Sequence, residues 1–114
     1  MKYLLPVLML FLPCYLSAQN KIIDSLNNLI NKATSDTQKI NLLIEKAKNL
    51  GEINLDSAIK VSTKAIDDAK KINYKEGEAS ARATIAGSYI FKGNYPEAKN
   101  NLDTAVTILK EKSV

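Results

Sequence analysis

The chain has 114 residues, of which 46% are apolar and 25% charged, values typical of one small folded domain. Its 16 basic and 12 acidic residues are interspersed, with no basic stripe between aromatic side chains, which argues against a nucleic-acid-binding surface. Histidine is absent and Cys14 is the only cysteine, so the chain lacks the residues for histidine acid-base catalysis and the common transition-metal ligand sets.

The first eighteen residues have the pattern of a secretory signal peptide. Lys2 is followed by an uncharged apolar run of thirteen residues, Leu4 to Leu16, and then by the small residues Ser17 and Ala18. We expect cleavage after Ala18, which would leave a periplasmic or secreted chain that meets the membrane only transiently through this leader.

Two alternatives for the leader fit less well. A permanent membrane anchor needs about 20 apolar residues, whereas this run is shorter and contains Pro6 and Pro13. Lipidation of Cys14 would need small residues before the cysteine, and here Pro13 precedes it. If Cys14 leaves with the leader, the mature chain has no cysteine to oxidise.

From Asn20 onward, apolar residues recur at helical spacing and predict five amphipathic helices. The first covers residues 20–33, within a flanking or capping segment at 19–36. The cluster around Ser35 offers a cap to the second helix, which is expected to end at Gly51 with a left-handed residue. The apolar stripe of the third helix extends from Ala58 to Ile72.

The fourth and fifth helices are predicted on either side of Gly93. The fourth extends from Lys75 to Lys92, and the fifth begins where Asn94 and Glu97 have capping-box spacing. Short connections between helices predict antiparallel neighbours. The residues predicted to form the buried stripe of the fifth helix are Ala98, Leu102, Ala105, Val106 and Leu109.

The chain also repeats itself. A shift of 40 residues aligns Asn54 with Asn94, Ala58 with Ala98 and Ala65 with Ala105, so the repeated unit is a helical hairpin. Residues 79–112 resemble a tetratricopeptide repeat (TPR), and residues 38–73 resemble it more weakly. The residues that carry the resemblance are Ile85, Ala86, Tyr89, Gly93, Tyr95 and Ala98. Arg82, Leu102 and Lys110 depart from the family pattern.

The resemblance implies an all-α fold in which antiparallel hairpins stack as a short TPR-like α-solenoid over residues 37–114. In such repeats the first helix of each hairpin lines the concave binding face. The family pattern places Ser80, Ala83, Gly87 and Ile90 on that face. The alternative interpretation is that these small or apolar residues contact a neighbouring repeat.

These observations predict an exported protein-protein interaction module with no catalytic activity, cofactor or metal. The expected partner is a protein or peptide, which includes a second copy of the chain, and not a nucleic acid. A second hypothesis is a truncated sensory domain, because two repeats leave an apolar face uncovered. The chain resembles the exported N-terminal sensory regions of bacterial histidine kinases and helix-turn-helix regulators.

Overall fold

The computed structural model describes residues 4–113, with side chains from residue 13 onward except at residue 16. Lys2 and the side chains of residues 4–12, on which part of the signal-peptide prediction depends, lie outside the described residues. Residues 4–113 contain no strand and five helices, which are α1 (Leu4–Lys32), α2 (Asp36–Leu50), α3 (Leu55–Lys71), α4 (Lys75–Phe91) and α5 (Tyr95–Lys112).

The five helices form a helical repeat. Consecutive helices pack against each other, and α2 also contacts α4. The helices α2 and α3 therefore make one hairpin, here called the inner hairpin, and α4 and α5 make a second, the outer hairpin. The inner hairpin contacts α1 on one side and α4 on the other, and this arrangement confirms the predicted all-α fold of stacked hairpins.

Helix α1 is longer than the predicted segment at 20–33, because it continues toward the N-terminus through Pro13 as far as Leu4. Gln19 is buried, and Ile30 packs against the core of the inner hairpin. Ile22 and Leu29, by contrast, are 42% and 50% exposed. No helix among residues 4–113 combines the length and the apolar character needed to cross a bilayer.

Of the two side-chain caps predicted at the beginnings of helices, one forms and the other does not. Ser35 caps α2, because its hydroxyl accepts a hydrogen bond of 3.1 Å from the Gln38 amide. Asn94, in contrast, makes no side-chain cap bond, so the predicted capping box does not form. Its backbone is bent (φ −90°, ψ 72°), whereas Asn54, which does cap α3, is extended (φ −153°, ψ 106°).

The turns that precede these two asparagines also differ. Gly93 precedes Asn94 and has φ +78°, a left-handed conformation that glycine adopts without steric cost. Gly51 instead has φ −58°, so the prediction of a left-handed residue there is wrong. In the α2–α3 turn the Asn54 amide donates to the Leu50 carbonyl, four residues earlier, at 2.7 Å, whereas in the α4–α5 turn the Asn94 amide reaches the Tyr89 carbonyl, five residues earlier, at 2.8 Å.

The main core lies where α2, α3 and α4 meet. It consists of Ile40, Leu43, Ile44, Ala65, Ile66, Ala69, Ala81 and Ile85. The outer hairpin has a smaller cluster, formed by Ala79, Ala105 and Ile108. Helix α4 therefore packs against the inner hairpin through this core. Among the described helices, α5 packs only against α4.

The predicted stripe of α5 is only partly correct. Ala98 and Ala105 are buried, but Leu102, Val106 and Leu109 are 40%, 49% and 50% exposed. Because α4 is the only described helix that contacts α5, only a narrow face of α5 is covered, and Ile108 is buried on that face instead.

Arg82 holds the outer hairpin together with polar bonds. Its guanidinium donates to Glu78 at 2.9 Å within α4 and to Asn101 at 3.1 Å on α5. Glu78 is buried and Arg82 is half-buried, so the ion pair is largely shielded from solvent. A position where the TPR pattern has an aromatic residue is therefore filled by a hydrogen-bonded ion pair.

Candidate protein-binding grooves

A groove lies between α2 and α4, over the start of α3, and we call it the inner groove. It has a volume of about 620 Å³. Its lining residues are Ala47, Lys48, Gly51, Glu52, Leu55, Thr84, Gly87, Ser88 and Phe91. Most of these side chains are small or apolar, which is the usual composition of a groove that receives an apolar segment.

The α4 side of the inner groove follows from helical spacing. Thr84, Gly87, Ser88 and Phe91 are three or four residues apart and therefore share one face of α4. A Cβ atom added at Gly87 would meet nothing within 4 Å, so the missing side chain leaves open space on this face. Phe91 is 79% exposed, so this wall combines free space with an accessible aromatic ring.

The end of the inner groove carries a carboxylate that is held from α1. Glu52 accepts hydrogen bonds of 2.7 Å from the Tyr15 hydroxyl and 2.7 Å from the Gln19 side-chain amide. Gln19 is 8% exposed, and its Oε1 atom is buried without a hydrogen-bond partner among the described residues. The bond to Glu52 raises the pKa of Tyr15, since ionisation would remove that bond and place two negative charges together.

A second groove lies between α4 and α5, on the side of the outer hairpin that faces away from the inner hairpin. We call it the end groove, and its volume is about 350 Å³. It is lined by Glu76, Ala79, Ser80, Ala83, Leu102, Ala105, Val106 and Leu109. Glu76 forms an ion pair with Lys112 of α5 at one end of this groove.

Three of the four residues predicted for the concave face line a groove. Gly87 lines the inner groove, whereas Ser80 and Ala83 line the end groove. Ile90 is 45% exposed and belongs to the lining of neither groove. The four residues are three or four positions apart and share one face of α4, and the two interpretations of that face, partner binding and contact with a neighbouring repeat, both stay predictions.

Sequence reasoning missed the two residues that give the inner groove its chemistry. Phe91 lies one residue beyond Ile90, and its spacing of four from Gly87 was a usable signal. Glu52 had no such signal, because it lies in the turn after α2 and lines the groove only through the packing of α2 and α3.

Comparison with known proteins places the chain in a family. No curated protein and no solved structure matches the chain. The family described as the SusR N-terminal TPR domain, however, matches residues 13–110, a range that includes all of α2, α3 and α4, most of α5 and the part of α1 that holds Glu52. TPR domains are in general non-catalytic scaffolds that bind other proteins. The match therefore joins the two hairpins and the helix before them into one domain, and the chain belongs to the SusR N-terminal TPR domain family.

Proposed function

We propose that the chain is an exported interaction module that binds a segment of another protein in its inner groove and has no catalytic activity. The observation that carries this proposal is the groove itself, where an apolar floor, open space at Gly87 and the exposed ring of Phe91 lie side by side. Exposed aromatic rings beside apolar pockets are frequent anchors of protein-protein contacts. Membership of a TPR family supports a protein as the partner.

Site-specific photo-crosslinking in the native compartment tests the groove. A photoreactive residue at Phe91 should give protein adducts, whereas the same residue at Lys60, on the exposed surface of α3, should not. Gly87→Leu, whose Cβ atom has open space around it and whose larger side chain would occupy the groove, should remove the adducts at Phe91. Equal adducts at both positions, or adducts at Phe91 that survive Gly87→Leu, would contradict binding in the inner groove.

Export rests on the leader pattern of residues 1–18. Cleavage after Ala18 would remove Tyr15 and retain Gln19, so one of the two side chains that hold Glu52 would remain. N-terminal sequencing of the chain recovered from the periplasm or medium should begin at Gln19. Recovery of the chain only from the cytoplasm, with Met1 or Lys2 at its start, would contradict this part of the proposal.

The end groove favours a second candidate, a sensory domain that belongs to a longer signalling protein. Its lining includes Leu102, Val106 and Leu109, which are 40–50% exposed, and the equivalent side of the inner hairpin is covered by α4. A following repeat would cover it in the same way. The matching family is likewise described as an N-terminal domain. Sequencing the DNA beyond the Val114 codon tests this, since further repeats and a kinase or helix-turn-helix domain are expected there.

A further inference from the structure

Some of the charged side chains around the inner groove have an ion-pair partner, and one of them does not among the described residues. Lys48 forms an ion pair of 3.3 Å with Glu45, and Lys92, next to the groove, forms one of 2.5 Å with Asp56. Glu52 takes part in no ion pair among the described residues, and its two hydrogen-bond donors, Tyr15 and Gln19, are neutral. The end of the groove therefore carries a negative charge that the described residues do not neutralise.

The surroundings of this carboxylate suit a long cationic side chain. Leu55 and Ala47 supply apolar surface along the groove, against which the methylene groups of a lysine or arginine can pack. The ring of Phe91 lies on the α4 wall of the same groove with 79% of its surface exposed, and the face of such a ring attracts a cation. A basic side chain would thus find apolar, aromatic and anionic partners in one groove.

We propose that the inner groove recognises a protein segment in which a lysine or arginine lies among apolar residues, and that Glu52 accepts its cationic group. This proposal rests on the proposed function and adds the chemistry of the partner. An acidic segment fits less well, because it would approach Glu52 while the only lysine in the lining, Lys48, is already paired with Glu45.

While residues 1–18 remain attached, Tyr15 competes with such a partner for one oxygen of the Glu52 carboxylate. Its hydroxyl and the Gln19 amide both bond to the same oxygen of Glu52, Oε2. Removal of the Tyr15 hydroxyl leaves Gln19 to orient the carboxylate and frees one acceptor direction on this oxygen for an incoming ammonium group. In the uncleaved chain, Tyr15→Phe should therefore bind a basic segment more tightly than the unaltered chain, and cleavage after Ala18, which removes Tyr15, should act in the same direction.

Three probe peptides that differ at one position test the proposal. Each has a single central residue between leucines, which is lysine, norleucine or glutamate. Their affinities for the full chain are measured at low salt from shifts of the backbone amide resonances of Gly51, Glu52 and Gly87. The lysine peptide should bind about threefold to fivefold more tightly than the norleucine peptide, as expected for one partly exposed ion pair. The glutamate peptide should bind most weakly.

Matched variants assign the preference to Glu52. Glu52→Gln keeps the shape and removes the charge, so it should abolish the preference for lysine, whereas Lys48→Gln should preserve it. Equal binding of the three peptides, tighter binding of the glutamate peptide, or a lysine preference that survives Glu52→Gln would each overturn the proposal. Crosslinking at Phe91 reports occupation of the groove by a segment of any charge, so failure here is distinguishable from failure of the proposed function.

Discussion

The inner and outer hairpins have the same topology but are stabilised differently. The inner hairpin has helices on both sides and contains large buried aliphatic residues such as Ile40 and Ile44. The outer hairpin has a neighbour on one side, a smaller cluster of Ala79, Ala105 and Ile108, and the bonds of Arg82 between its helices. The clearer TPR pattern nevertheless belongs to the outer hairpin, so agreement with a family pattern is not a measure of burial.

The difference between the hairpins has consequences for binding. The inner hairpin and α4 together form a covered core, and the inner groove is built on that core. The outer hairpin exposes Leu102, Val106 and Leu109 on its free side. A rigid base suits a groove that recognises a defined segment, whereas a loosely covered apolar face suits the addition of another helix.

The largest difference expected between the two hairpins is in how much the free energy of unfolding falls when a large apolar side chain is replaced by alanine. Ile40→Ala in the inner hairpin should lower the free energy of unfolding by about 2–5 kcal/mol, because Ile40 is 1% exposed and its loss leaves a cavity. Leu102→Ala in the outer hairpin should change it by less than about 1 kcal/mol, because Leu102 is 40% exposed. Urea denaturation followed by circular dichroism measures both values. Similar losses for the two variants would contradict the description of the hairpins as differently buried.

Two glycines of α4 lie in different surroundings, one buried and one beside the inner groove, so alanine substitution should change the free energy of unfolding in opposite directions. Gly77 is buried, and an added Cβ atom would collide with the ring of Tyr74, which is fixed by a hydrogen bond of 2.9 Å to Asn41. Gly77→Ala should therefore lower the free energy of unfolding by about 1–3 kcal/mol. Gly87→Ala should raise it by about 0.5–1 kcal/mol, because alanine favours the helix and the groove leaves room.

Thermal or urea unfolding measures the free energy of unfolding of Gly77→Ala and Gly87→Ala, and each variant serves as the control for the other. Alanine has the higher helix propensity at both positions, so a difference in sign isolates the tertiary contact with Tyr74. Stabilisation by both substitutions would show that the Tyr74 ring moves aside at little cost.

The fold was predictable because local signals and the repeat agreed. Helical spacing of apolar residues marked all five helices, and the repeated small residues Ala58, Ala65, Ala98 and Ala105 are all buried at the helix contacts. Gly93 marked the turn between α4 and α5 correctly, since its φ of +78° favours glycine. These features depend on a few neighbouring residues, which is why one sequence was sufficient.

The grooves were less predictable because they depend on which faces are covered. The apolar spacing of Leu102, Val106 and Leu109 is the same whether or not another helix packs on them, so it could not show that they are exposed. The role of Arg82 was equally hidden, because its partner Asn101 lies on another helix. The Glu52 carboxylate was hidden as well, because a partner that holds it, Gln19, lies on α1, 33 residues earlier in the chain.

The smallest expected effect concerns two asparagines at equivalent positions of the hairpins. Asn54→Ala should lower the free energy of unfolding by about 1 kcal/mol, because it removes the bond of 3.1 Å that the Asn54 side chain accepts from the Ser57 amide. Asn94→Ala should change it by less than about 0.5 kcal/mol, since the Asn94 side chain makes no cap bond. Urea denaturation of both variants at one pH provides the measurement. A loss at Asn94 as large as at Asn54 would mean that the capping box forms in solution, and the two hairpins would then begin their second helices in the same way.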